Sequence, residues 1–109
     1  MHQEIAQKWT AALRSGEYKQ TKHQLKTCDN RFCCLGVLCN LYQKENGGEW
    51  TGYGYFLGCG QILPPEVVDW AGMKSRRGDL HPLSLSDYND KGKDFYEIAQ
   101  IIENNIENL

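Results

Sequence analysis

The residues best suited to covalent or metal chemistry are five cysteines, Cys28, Cys33, Cys34, Cys39 and Cys59. With His23 nearby, the first four supply the soft ligands that zinc prefers. Their spacing argues against a structural zinc site, which presents paired cysteines on turns. On a helix Cys33 and Cys34 point in different directions, and Cys39 follows them by five or six residues rather than three or four. A cysteine nucleophile needs a thiol activated by a helix N-terminus or by a neighbouring base. Cys33 stands in the first turn of an expected helix, and His23 or His81 is available as a partner, although neither spacing forces contact. The simpler expectation is that these thiols pack as small hydrophobes.

Asp87-Tyr88-Asn89-Asp90-Lys91-Gly92 has the look of a calcium loop, but Lys91 occupies a ligand place and Ile98 stands where a bidentate glutamate is needed. A turn followed by a helix cap is the expected reading. No phosphate-binding glycine loop is present, since the glycines between Thr51 and Gly60 do not open a helix at the required spacing. What remains is a set of rings and cations: Trp50, Tyr53 and Tyr55, joined by Phe56, and Arg31, Arg76 and Arg77, joined by Lys74. Flat rings stack on bases and guanidiniums grip phosphate at two points, so Arg31, Trp50, Tyr53, Tyr55, Arg76 and Arg77 form a candidate site for a nucleotide-sized anion. No metal and no cofactor is implied.

The elements that must position these groups follow from periodicity. Ile5, Trp9, Ala12 and Leu13 recur at helical spacing before Ser15-Gly16 stops the helix. Glu17 to Thr27 is polar and alternating, which predicts a short, partly exposed strand. Asp29-Asn30 is placed to cap a helix running from Phe32 to Tyr42, apolar almost all round and therefore the centre of the core. Gly36 inside it marks a close approach by another backbone. Trp50 to Leu57 fits a strand or an aromatic loop, and Pro64-Pro65 starts a short helix that Gly72 ends. Lys74 to Pro82 reads as a charged loop, and Asn89-Asp90-Lys91-Gly92 as a turn. Asp94 and Glu97 then cap a last helix whose apolar face is Phe95, Ile98, Ile102, Ile106 and Leu109.

At 109 residues the chain has material for one core, so residues 1–109 are expected to form one domain. The expected class is α+β, with three to four helices around a buried central helix and a short antiparallel sheet or hairpin. A net charge of -2 excludes a general phosphate-coating role on nucleic acid. No apolar run is long enough for a membrane span, and Met1-His2-Gln3-Glu4 is unlike a signal peptide, so a cytoplasmic protein with free thiols is expected. The charge balance permits a homo-oligomer.

The strings Trp9 to Gln20, Phe32-Cys-Cys-Leu-Gly-Val-Leu-Cys39, Leu63 to Gly72, and Asn89-Asp90 ahead of Phe95 to Ile102 span nearly the whole chain. In these the sequence resembles a group of small tailed-phage proteins marked by the Phe-Cys-Cys-Leu-Gly-Val-Leu-Cys core. The resemblance implies an accessory phage product acting in the bacterial host cell, of the anti-defence type, and carries over no catalytic or binding residue. The expected function is therefore a non-catalytic binding protein that sequesters a small nucleotide-like host signal. The alternatives are a protein-protein inhibitor of a host enzyme and a cysteine-dependent enzyme or zinc module.

Overall fold

In a computed structural model that describes residues 1–109, the stripe of Ile5, Trp9 and Leu13 lies on the inner face of α1 (Gln3–Arg14). α1 packs most extensively on α5 (Phe95–Asn104), which buries Phe95, Ile98, Ala99 and Ile102, and an exposed two-point ion pair joins Arg14 to Glu103 across their outer edge. α2 (Cys34–Asn46), whose residues Cys34 to Cys39 are all buried, packs on α1 and on two short helices, α3 (Pro65–Ala71) and α4 (Leu85–Asp90). Trp9 is fully buried against it and donates its indole N–H to the Cys34 carbonyl at 3.0 Å. A 3-10 turn at Ile106–Asn108 completes the set. A two-stranded sheet of β1 (Lys19–Gln20) and β2 (Arg31–Phe32) gives the α+β class.

Several expectations are corrected. The sheet is parallel, Lys19 facing Arg31 and Gln20 facing Phe32, and antiparallel pairing is confined to lone bridges such as Lys26 with Phe32. The cause is a detour of the chain between the strands that sinks Leu25 into the core and returns to the same side. Only two residues of the predicted Glu17 to Thr27 strand pair in β1. Phe32 belongs to β2, and the cap of α2 is Cys33, not Asp29 or Asn30; its sulfur accepts from the Gly36 N–H at 3.4 Å. The segment read as a turn at Asn89-Asp90 is the end of α4, which a reciprocal Ser84–Asp87 capping box starts. The last helix stops at Asn104, short of Leu109.

Two glycines fix the detour in place. A Cβ on Gly36 would fall 1.8 Å from the Leu25 carbonyl oxygen, and a Cβ on Gly54, at φ +82°, would fall 1.9 Å from that of Lys26. Leu25-Lys26 is therefore a strut clasped between α2 and the loop after it, and both regions described next are built against it.

Candidate functional site

The six residues of the ring-and-guanidinium set do not converge on one pocket. Trp50 is half-buried and packs on Phe56 with centroids 5.0 Å apart and on Phe32 at 5.9 Å, while its N–H donates to Asn40 Oδ1. Lys26 lies over its ring, 5.8 Å from the centroid, so the indole is committed to the fold. Arg31 is exposed and paired at 3.2 Å with Asp29, its near neighbour in the same turn. Arg76 and Arg77 diverge: Arg76 donates to the Leu63 carbonyl and to Cys59 Sγ at 3.1 Å, whereas Arg77 lines a separate cleft beside α2.

Tyr53 and Tyr55 are 89% and 49% exposed. They line an open concavity of about 510 Å³ with Thr51 and Gly58. Thr51 holds this turn together: its hydroxyl oxygen accepts from the N–H groups of Tyr53 and Tyr55, and its own N–H donates to the Tyr55 carbonyl at 2.9 Å. Gly54 supplies the left-handed residue that lets the turn press on Lys26. Two large rings are thus held out by hydrogen bonds made behind them, and Arg76, through Cys59, is the guanidinium tied to the same loop.

On the other side of the strut, Cys33 lies in a cleft of about 120 Å³ together with His23, Gln61, Arg77, Ser86 and Asp90. Asp90 grips His23 twice, one carboxylate oxygen accepting the backbone N–H at 2.9 Å and the other facing imidazole Nδ1 at 3.3 Å. His23 itself is in the left-handed region at φ 68°, a conformation that costs a residue with a Cβ about 1–2 kcal/mol. Cys33 is 5% exposed, and burial pushes its thiol up to about 11 against the pull of the Gly36 and Leu35 amides, with Asp90 adding to the rise. Cys34 and Cys39 are enclosed in the core, where burial raises both thiols well above the ordinary range. No three Cys, His, Asp or Glu side chains gather as a metal-binding set.

Of the two partners foreseen for Cys33, His23 shares its cleft, and His81 lies in a different groove with Lys74, Asp79 and Asp87. That Asp90, Gln61 and Ser86 line the cleft with Cys33 is not legible in the sequence, because nothing local links positions so far apart to residue 33. Asp90 depends on Asn89 beside it, which is fully buried and satisfies the Cys34 N–H, the Gln20 side chain and the Thr21 carbonyl at once. That anchoring sets α4, and with it Asp90, against the entrance of α2.

No helix is long and apolar enough to cross a membrane. No curated protein and no solved structure matches the chain. A match over residues 1–106 shows that the chain belongs to the family described as domain of unknown function DUF8296.

Proposed function

We propose that the protein captures a small nucleotide-like ligand on the Thr51 to Gly58 turn, with Tyr53 and Tyr55 stacking on its ring and Arg76 meeting its negative charge. The single observation that carries this reading is the exposure of both tyrosines on a turn whose backbone is held by the Thr51 hydrogen bonds. Stacking on aromatic side chains is sequence-tolerant and contributes about 1–3 kcal/mol per base. A turn whose backbone is fixed in advance loses less freedom when it binds. In the setting that the phage resemblance implies, the ligand is a host nucleotide signal in the bacterial cytoplasm and capture removes it from circulation.

A thermal-shift series with cyclic and ADP-ribose-type nucleotides tests the reading. A ligand at about a hundred times its Kd stabilises the folded state by about 2.7 kcal/mol, and replacing Tyr53 and Tyr55 by serine abolishes that gain. Absence of any shift at millimolar ligand overturns it. The openness of the concavity, lined by four residues, favours a second reading in which the same tyrosines anchor a host protein. A stoichiometric bacterial partner, retained by the wild type and lost with both tyrosines, would select that second reading.

A further inference from the structure

We infer that the tyrosine turn takes a nucleotide with one base and one phosphate, Tyr55 being the platform for the base and Arg76, aimed by Cys59, the group that grips the phosphate. This rests on ligand capture at the turn, as proposed above, and narrows the ligand to a nucleoside monophosphate, linear or cyclic.

The two tyrosines are not equivalent. The Tyr55 ring rests on Gly60, where a Cβ would fall 3.0 Å from its Cε1 and Cζ and 3.3 Å from its Cδ1. One side of the ring is thus backed by bare backbone, and the remainder opens on the concavity it lines. A ring backed on one side and open on the other is a stacking surface. Tyr53 stands almost wholly in solvent, free to close over a base laid on Tyr55. Arg76 is held at two points. Its Nε donates to the Leu63 carbonyl at 2.8 Å and its Nη2 to Cys59 Sγ at 3.1 Å, whereas Nη1 makes no hydrogen bond. A carbonyl and a sulfur therefore fix the plane of the guanidinium, and no carboxylate pairs with its charge. Cys59 stands between Gly58, which lines the concavity, and Gly60, on which Tyr55 rests, so the cation is moored at the margin of the same turn.

The ligand's chemistry follows from these two features. A planar base gains by stacking on Tyr55, and the oxygens of a phosphate accept from the free N–H groups of Arg76. One phosphate is served and no more, because Lys26 lies over the Trp50 ring, Arg31 is paired with Asp29, and Arg77 lines the cleft across the strut. A second phosphate would remain in water. The hydroxyl oxygen of Thr51 already accepts from the Tyr53 and Tyr55 N–H groups, so the base is held by ring area rather than by hydrogen bonds to its edge. The site is accordingly tolerant of base identity.

Titration calorimetry of the full chain with AMP, cyclic AMP, ADP-ribose and adenosine, and with GMP and guanosine, tests this. The monophosphates are expected to bind about 10-fold or more tighter than the nucleosides, the usual gain from hydrogen bonds to a charged group. ADP-ribose should stay within about 5-fold of AMP, the most that an exposed, unpaired charge contributes. Arg76→Met should lower AMP to the affinity of adenosine and leave adenosine unchanged. Gly60→Ala should weaken AMP and adenosine by the same factor, and it spares the fold because its methyl group meets only the outer part of a half-exposed side chain. Cys59→Ala should weaken AMP about 3-fold, as for one hydrogen bond lost, without affecting adenosine, and Cys59→Ser, which keeps an acceptor for Arg76, should restore it. Equal affinity of wild type for AMP and adenosine, or ADP-ribose exceeding AMP beyond that margin, overturns the assignment while capture stands. If no nucleotide or nucleoside binds, capture itself falls and the assignment with it.

Discussion

The tyrosine turn and the Cys33 cleft lie on opposite sides of one strut, Leu25-Lys26, and offer a ligand opposite things. The turn presents ring area with little charge, while the cleft presents charge, hydrogen-bonding groups and a sulfur in a space of about 120 Å³. Composition alone groups aromatic and cationic residues into one site, because it counts residue types without their directions. The chain divides them: Arg77 serves the cleft, Arg76 stays with the turn, and Arg31 is held by Asp29. The two regions thus share no lining residue, and each can be altered without touching the other.

That separation can be broken most severely at Gly36. A methyl group there meets the Leu25 carbonyl inside the core, so Gly36→Ala is expected to cost about 3 kcal/mol or more in chemical denaturation, at the upper end of overpacking effects, and to disturb the cleft side of the strut. Gly54→Ala acts from the other side, adding left-handed strain to a clash with the Lys26 carbonyl, and is expected to cost about 2 kcal/mol. It should abolish ligand-induced thermal shifts while leaving the Cys33 side of the strut folded. If Gly36→Ala removes those shifts as fully as Gly54→Ala does, the strut transmits damage and the regions are not independent.

A smaller effect follows from pH. The folded state holds the Cys33 proton up to about 11, above its ordinary 9.0, so the unfolded chain loses that proton first as pH rises. The thiol's contribution to stability is therefore complete below pH 9 and is lost on the way to 11. Unfolding free energies measured across this window should fall more steeply for wild type than for Cys33→Ser; parallel curves would show that the sulfur is not desolvated in the fold. The smallest change is expected for the double replacement of Tyr53 and Tyr55 by serine, within about 0.5 kcal/mol of wild type, because both rings face water.

Long periodic segments made much of the fold legible in the sequence. The stripe of α1, the burial of α2, the Pro65 start and Gly72 end of α3, and the Asp94–Glu97 cap of α5 all follow from spacing and capping chemistry. Gly36 announced a close approach, although the partner, Leu25, could not be read because it arrives through the detour. The helix α4 was hidden by its composition: Ser, Asp and Asn favour turns, and its start is secured by a capping box that the eye reads as loop. The parallel sheet was not legible, since two residues per strand carry no pattern and the register is set by packing around Leu25. For the candidate site, residue types were visible and grouping was not. Cys33 and His23 were recognised as a pair to consider, but Asp90 reaches them because buried Asn89 pins α4 to α2, a contact with no signature along the chain.

The sulfur that opens α2 bears on how this protein could be hardened. Oxygen is the better cap, so serine in place of Cys33 is the edit a stability engineer would make first. It would also exchange a soft, polarisable atom for a hydroxyl that demands stronger hydrogen-bond partners in a nearly closed site. A better helix cap and a drier core thus compete for a single side chain here.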